Sequence, residues 1–337
     1  MEWRLLGVVA CSTFAALSVA DACEDGVPVD SAEFVSVGGI DQWVTIRGAD
    51  CHNPPMLFLH GGPGDALSPF SGRLLADWEH HFTLIQWDQP GAGRTFSNTG
   101  PEIASELSID RIVLDGIDVA EFVLDKLGHE KLILVGTSWG SIIGTRMVRN
   151  RPDLFNAYVG ISQVVSMKRA VPIGYRDAIG HFERAGNEAA VTELEDLGPP
   201  PWDSVGELAV LFRSIRAIRG QSAPNLIGLT DPEFTPAEFQ SWLAADEFSQ
   251  LHFFGAALDG ELMNLDLLEE SVDLSVPVYV FQGSDDLITP QILAEQYVNA
   301  LDASEKGLFR IQGAGHELLF EASDELLKEL VTRFGVE

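Results

Sequence analysis

The sequence predicts an α/β fold in which a mostly parallel sheet is covered by helices on both faces, with a helical cap inserted between two core segments. Short apolar runs bounded by Gly and Pro alternate with segments that are apolar at helical spacing. This alternation favours a parallel sheet, because parallel strands are joined by crossover helices. The alternation stops between about residues 164 and 273. We therefore place the core in residues 30–163 and 274–337 and the cap in residues 164–273.

Eight predicted strands form the sheet, and four predicted helices cover it. Gly38 and Gly39 lie in the short connection between the first two strands, which indicates an antiparallel hairpin at the start of the sheet. The first long helix carries Asp110 in its first turn, and the second ends before Pro152. The strands span residues 34–37, 43–47, 56–60, 82–87, 131–135, 157–161, 278–281 and 307–311, and the helices span residues 109–127, 141–150, 291–301 and 321–334.

Within the cap, residues 180–197 and 205–218 are helical by the same criterion, and three consecutive prolines at residues 199–201 separate them. A cap inserted after the sixth strand lies over the carboxyl ends of the strands, where open α/β sheets bind ligands. We therefore expect the cap to cover the functional site.

The chain is strongly acidic. Its 337 residues include 51 Asp and Glu but 21 Lys and Arg, which gives a formal net charge of −30. This charge argues against a nucleic acid or an anionic membrane surface as partner, since phosphate binding needs clustered Lys and Arg. Long-range steering of cationic substrates is one interpretation of the charge. Solubility is the simpler interpretation, and we adopt it.

The N-terminus has the pattern of a secretory signal peptide over residues 1–22. Arg4 precedes an apolar stretch at residues 5–20, and the small residues at its end suit signal peptidase. We therefore expect a periplasmic or secreted protein; a retained anchor is the alternative, although the stretch is short for a membrane span. Removal of the leader leaves Cys23 and Cys51, which we expect to form a disulfide after export, with two free thiols as the alternative.

The segment from Gly136 to Gly140 predicts a nucleophilic serine. It reads Gly-Thr-Ser-Trp-Gly between a short apolar run and a helical pattern, which is the strand–turn–helix context of a nucleophile elbow. A serine on so tight a turn crowds its neighbours two residues away on each side, and glycine at both positions removes the clashing side chains. Ser138 is therefore the predicted nucleophile.

Two loops after late strands supply the partners that a nucleophilic serine needs. Asp285 and Asp286 follow the strand at residues 278–281, and His316 follows the strand that ends at Ile311. The chain order serine, aspartate, histidine is that of the nucleophile-elbow class, and all three groups lie at carboxyl ends of strands. The other histidines lie in helical stretches, at turns, in an early loop or in another motif, so His316 is the predicted base.

A glycine-rich loop and the elbow itself predict an oxyanion hole. The loop at residues 60–64 reads HGGPG after a strand, and its backbone can bring an N–H close to the substrate oxygen. We expect the N–H of Gly62 and the N–H of Trp139 to be the two donors. Residues 88–95, which read DQPGAGRT, are predicted to brace this loop rather than to take part in catalysis.

Together these motifs resemble the α/β-hydrolase fold and, within it, the proline iminopeptidase (prolyl aminopeptidase) family. HGGPG, DQPGAGRT, GTSWGS, GSDDLITP and GAGH occur in that family's order, and the resemblance covers roughly residues 30–165 and 272–337. The resemblance implies a serine hydrolase that works through an acyl-enzyme. The family's Gly-x-x-Asp spacing implies Asp286, rather than Asp285, as the acid of the triad.

The chain departs from the family's pattern at several positions. Pro90 and Ser284 stand where the family usually has arginine. The family's aminopeptidases hold the α-amine of the substrate with acidic cap residues, one of them in a Trp-Glu context, and no Trp-Glu pair occurs in this cap. Asp246 and Glu247 are the predicted substitutes.

The leading hypothesis is an aminopeptidase that cleaves an N-terminal residue, preferably proline, from short peptides. A carboxylesterase or small-amide hydrolase with the same triad is the first alternative, and a non-catalytic binding protein on a hydrolase fold is a distant one. Epoxide-hydrolase chemistry is disfavoured, because it needs an aspartate where Ser138 stands. The sequence shows no metal cluster or phosphate loop, so we expect no cofactor and no metal, and a small molecule or short peptide as partner.

Overall fold

A computed structural model describes residues 27–218, 227–270 and 273–335 and shows the predicted α/β architecture. Within these ranges, eight strands form the main sheet and two short strands form a separate pair. The strands are β1 (Val29–Val37), β2 (Ile40–Gly48), β3 (Pro55–Leu59), β4 (Thr83–Trp87), β5 (Leu132–Thr137), β6 (Phe155–Ile161), β7 (Asp273–Leu274), β8 (Val278–Gly283), β9 (Asp302–Ala303) and β10 (Lys306–Ile311). Each of the eight predicted strands matches a strand of the main sheet.

The strand order in the main sheet is β1-β2-β4-β3-β5-β6-β8-β10. β1 and β2 form the antiparallel hairpin that the sequence predicts, and β2 also runs antiparallel to β4. Every other pair in this sheet is parallel. All residues of β3, β4 and β8 are buried, as expected for parallel strands with helices on both faces.

Helices connect these strands and fill the interval between β6 and β7. They are α1 (Ser68–Leu74), α2 (Gly93–Thr99), α3 (Ile109–Leu127), α4 (Trp139–Asn150), α5 (Met167–Ala185), α6 (Glu188–Leu197), α7 (Val205–Ile218), α8 (Pro236–Phe254), α9 (Glu261–Asn264), α10 (Gln291–Ala300), α11 (Leu318–Glu321) and α12 (Ser323–Phe334). The bounds of α3 and α7 are those that the sequence predicts. The predicted helix over residues 321–334 corresponds to α12, which begins two residues later because the short helix α11 ends at Glu321.

The predicted helix over residues 180–197 is two helices in the structure. α5 ends at Ala185, where Gly186 takes a left-handed φ of 69°. Such a residue ends a helix by turning the chain away from its axis. The side chain of Asn187 then accepts a hydrogen bond from the N–H of Ala190 at 3.2 Å and begins α6.

α8, the long helix after residue 235, is not predicted from the sequence pattern. Its apolar residues are spread around the helix rather than along one stripe, so helical periodicity does not reveal it. Trp242 donates its indole N–H to the carbonyl of Ala66 at 2.9 Å, and the Ser249 hydroxyl donates to the carbonyl of Gly91 at 2.7 Å. These bonds hold α8 against the two loops that follow β3 and β4.

The two faces of the main sheet carry separate hydrophobic cores, because side chains alternate along each strand. In β3, Leu57 and Leu59 belong to the core that α3, α4 and α10 cover. Met56 and Phe58 belong to the core on the other face, which α1 and α12 cover. The sheet is therefore enclosed on both sides, and its loops at the carboxyl ends of the strands are free to form a site.

The predicted signal peptide, residues 1–22, and Cys23 lie outside the described residues. Cys51 is buried and disulfide-bonded. Asp50 and His52 lie close enough to Cys51 to share a metal ion, but a disulfide sulfur is not the thiolate that a metal needs. In the described part of the chain, no helix is both long enough and apolar enough to span a membrane.

Gly140→Ala is expected to destabilise the fold, because the first turn of α4 lies directly on the end of β3. An added Cβ would collide with the carbonyl oxygen of Leu59 and would lie 2.7 Å from that of His60. Overpacking of this kind typically costs about 1–3 kcal/mol. Urea denaturation followed by circular dichroism measures this loss in the free energy of unfolding.

Gly180→Ala in α5 is the matched control. The nearest atom to its added Cβ belongs to the flexible end of Arg184, at 3.3 Å. This variant is expected to be as stable as the wild type or up to about 1 kcal/mol more stable, because alanine favours a helix interior. Equal losses in both variants would contradict the packing argument.

Candidate active site

Ser138 lies on the turn between β5 and α4 in a strained backbone conformation, with φ 47° and ψ −117°. The turn is held in place by a hydrogen bond from the Ser138 N–H to the carbonyl of Ile161 in β6, at 2.9 Å. A Cβ added at Gly136 would lie 2.6 Å from the carbonyl oxygen of Gly140. The two glycines therefore permit the tight turn because they carry no side chain that would clash, and Ser138 immediately precedes the 12-residue helix α4.

The structure brings Ser138, His316 and Asp286 together. His316 Nε2 lies 2.9 Å from Ser138 Oγ, and His316 Nδ1 lies 2.9 Å from Asp286 Oδ2. The hydroxyl of Ser162 donates to the His316 carbonyl at 2.6 Å, which fixes the backbone of the histidine. This arrangement can move a proton from the serine hydroxyl to the imidazole.

Asp286 is buried and surrounded by donors. Its Oδ1 accepts the backbone N–H groups of Ile288 and Thr289, at 2.9 and 2.8 Å. Its Oδ2 accepts the Thr289 hydroxyl at 2.6 Å and the Gln282 amide at 2.8 Å, in addition to His316. Burial raises the pKa of a carboxyl, but the charge of His316 and these hydrogen bonds outweigh it and hold the pKa of Asp286 below its usual value.

Asp285, the other acid considered in this loop, is exposed and accepts the Ser284 hydroxyl at 3.0 Å. Asp286 is therefore the acid that contacts His316.

The pKa of His316 is raised above its usual value. Burial lowers it, but the charge of Asp286 and the hydrogen bond to that carboxylate outweigh burial, and Glu317 adds to the effect. Because Asp286 is ionised, Nδ1 of the neutral imidazole carries the proton that this carboxylate accepts. Nε2 is then left with its lone pair toward the Ser138 hydroxyl.

The two amides expected to form the oxyanion hole line the same cavity as Ser138. Gly62 takes a φ of 104°, and Trp139 is the first residue of α4. Among the described residues, none accepts a hydrogen bond from either backbone N–H. The loop runs directly beside the serine, since a Cβ added at Gly61 would lie 3.5 Å from the Cβ of Ser138.

Gln89 ties this loop to the elbow. Its N–H donates to Nε2 of His60 at 3.2 Å, and its side-chain carbonyl accepts the indole N–H of Trp139 at 2.9 Å. Burial lowers the pKa of His60 to about 4, so this ring is neutral and its Nδ1–H donates to the Gly61 carbonyl at 2.9 Å. These contacts confirm that the segment after β4 braces the glycine-rich loop.

A cavity of about 880 Å³ opens at Ser138 between the core and the helices that follow β6. Much of its wall is apolar and comes from Phe70, Met167, Phe212, Trp242, Phe254 and Leu262. The ionisable side chains in the wall, besides His60 and His316, are Asp65, Arg216, Asp246, Glu317 and Glu321. The wall therefore combines an apolar surface with a predominance of carboxyl groups.

Asp65 and Asp246 form a hydrogen-bonded pair of carboxyls in this wall. Burial, followed by the charge of Asp246, raises the pKa of Asp65 well above its usual value. Burial also raises the pKa of Asp246, which accepts the Gln250 amide at 2.5 Å. A cation placed here would let both groups ionise.

The prediction of Glu247 as a substrate-binding residue was wrong, because this side chain is exposed and does not line the cavity. Successive residues on a helix point about 100° apart, so α8 presents Asp246 to the cavity and Glu247 to solvent. Asp65 partners Asp246 instead. Asp65 and Glu317 were not among the predicted site residues, although Asp65 follows HGGPG directly and Glu317 follows His316.

The family model that matches residues 54–323 describes the α/β-hydrolase fold. The chain belongs to this family and is an α/β-hydrolase family enzyme.

Among its relatives, the probable aminopeptidase YbaC of Bacillus subtilis (strain 168) is 31% identical over 292 residues, which cover 84% of this chain and 89% of the relative. The proline iminopeptidase of Lactobacillus helveticus (strain DPC 4571) is 22% identical over 299 residues, with 85% and 92% covered. The crystal structure of proline iminopeptidase from Mycobacterium smegmatis superposes with a TM-score of 0.63 at 20% identity, covering 90% of this chain and 97% of that one. At this identity the superposition shows a shared fold.

Asp286→Asn is expected to lower the pKa of His316, because the carboxylate charge that raises it is lost while the burial that lowers it remains. An NMR titration of the imidazole of His316 measures this pKa. Asp285→Asn is the matched control, since Asp285 is exposed and is not the carboxylate that His316 contacts. An unchanged pKa in Asp286→Asn would contradict the assignment.

Proposed function

We propose that the protein is a periplasmic or secreted serine hydrolase that removes an N-terminal residue, preferably proline, from short peptides. The observation that carries the proposal is the Asp65–Asp246 carboxyl pair in the same cavity as Ser138, His316 and Asp286. The named activities of the relatives support the reaction class and the preference for proline. The disulfide at Cys51 supports an oxidising compartment.

Acylation begins when Ser138 Oγ attacks the carbonyl carbon of the scissile amide and its proton passes to Nε2 of His316. The former carbonyl oxygen becomes an oxyanion, which is stabilised by hydrogen bonds from the backbone N–H groups of Gly62 and Trp139. The C–N bond then breaks, and His316 delivers its proton to the leaving nitrogen. Asp286 stabilises the imidazolium formed between these steps and fixes the ring's orientation.

Deacylation repeats the sequence with water as the nucleophile. His316 takes a proton from the water molecule as its oxygen attacks the ester carbon of the acyl-enzyme. The ester C–O bond breaks, the proton returns to Ser138 Oγ, and the free amino acid leaves.

The carboxyl pair distinguishes an amine-bearing substrate from a neutral one. Two adjacent carboxyls in the cavity wall cannot both ionise easily, and an α-ammonium group bound beside them offsets that cost. A neutral ester gains nothing from this pair. The apolar wall that includes Phe70 and Trp242 supplies a surface for the side chain or ring of the N-terminal residue.

Ser138→Ala is expected to lower the turnover of prolyl-p-nitroanilide by roughly 10⁴- to 10⁶-fold, because no nucleophile remains. Release of p-nitroaniline measures this, with circular dichroism to show that the fold is retained. A fluorophosphonate probe should label the wild type and fail to label the variant. Residual activity close to that of the wild type would rule out the acyl-enzyme mechanism.

Asp246→Asn is expected to reduce kcat/KM for prolyl-p-nitroanilide by about 10- to 100-fold, the effect of losing a charged hydrogen bond to the substrate amine. The loss should be much smaller with p-nitrophenyl acetate, which has no amine. Glu247→Gln, one residue along α8 and exposed, is the matched control and should behave as the wild type. Turnover of the ester alone, with none of the prolyl amide, would favour an esterase over an aminopeptidase.

A further inference from the structure

Arg216 lies in the last turn of α7 and lines the cavity that contains Ser138. It also lines a small adjoining hollow beside His316, together with Leu287 and Glu317. Its positive charge acts on Asp65, Asp246 and His316. Arg216 therefore shares the cavity wall with the carboxyl pair and with His316, and lies within electrostatic range of both.

Among the described residues, no carboxylate lies within ion-pairing distance of Arg216. Arg213, three residues earlier on the same helix, pairs with Glu193 at 2.7 Å. Arg94 likewise pairs with Glu238, at 3.0 Å. In a chain with 51 acidic and 21 basic residues, an arginine in the cavity wall that has no such partner leaves its guanidinium available to a ligand.

The geometry of the reaction indicates which part of the substrate lies nearest to Arg216. His316 Nε2 must reach the leaving nitrogen to protonate it, so the leaving residue lies on the histidine side of Ser138. In a dipeptide, the carbon bonded to that nitrogen carries the α-carboxylate. A guanidinium group matches a carboxylate with two parallel hydrogen bonds.

We propose that Arg216 binds the α-carboxylate of the leaving residue, which makes dipeptides with a free carboxylate the preferred substrates. This inference rests on the proposed aminopeptidase function. Asp65 and Asp246 then receive the ammonium end of a zwitterionic dipeptide, and Arg216 receives its carboxylate end. The opposite charges in the wall of the cavity match the two ends of one small substrate.

The test compares Pro-Gly with Pro-Gly amide, which differ only in the charge of the terminal group. In the wild type, kcat/KM is expected to be about 10- to 100-fold higher for the free acid. Arg216→Gln should bring this ratio close to one. Arg216→Lys should retain part of the preference, because lysine keeps the positive charge but lacks the two parallel N–H donors of the guanidinium group. Arg213→Gln, the same change on the same helix outside the cavity wall, should keep the ratio of the wild type.

A wild-type ratio of one or less would overturn the proposal, and so would a preference for the free acid that survives Arg216→Gln. Turnover of the amide and of prolyl-p-nitroanilide with no preference for the acid would leave the aminopeptidase function in place and remove only the role of Arg216. Absence of turnover with all three prolyl substrates would remove the proposed function and the role of Arg216 together.

Discussion

The backbone of Ser138, held at φ 47°, is the constraint on which the rest of the site depends. This conformation requires β5, the first turn of α4 and the end of β3 to approach more closely than side chains at Gly136 or Gly140 would allow. The same approach carries the loop at Gly61 and Gly62 alongside the serine. A wider spacing would separate the nucleophile from the amides expected to receive the oxyanion, so the strained turn and the oxyanion loop form one structural unit.

The surroundings of each carboxyl group of the site, rather than the residue type, set its pKa. Asp286 is buried but accepts hydrogen bonds from several donors, so it stays ionised beside His316. Asp65 lies beside a second carboxyl, and burial together with that neighbour's charge raises its pKa despite the opposing charge of Arg216. Asp286 therefore stays ionised, whereas the Asp65–Asp246 pair is suited to bind a cation.

The core and the elbow were predictable because their signals are local. Each core strand is a short apolar run, and HGGPG and GTSWGS each lie within a few residues of the backbone geometry that they require. The walls of the cavity were harder to predict. α8 carries no amphipathic stripe because it contacts the loops after β3 and β4 as well as the cavity. The choice between Asp246 and Glu247 depends on the rotation of that helix, which no local pattern specifies.

The sequence by itself determined the α/β class, the strand list and the order of the nucleophile, acid and base along the chain, since these depend on hydrophobic periodicity and on turns that tolerate few residues. The resemblance already implied Asp286 rather than Asp285 as the acid, and the structure places Asp286 against His316. Only the tertiary structure decided that Asp65 rather than Glu247 joins Asp246. It also placed Arg216 in the wall of the same cavity. These juxtapositions join residues far apart in the chain, and they arise from how α7, α8 and the strand loops pack in three dimensions.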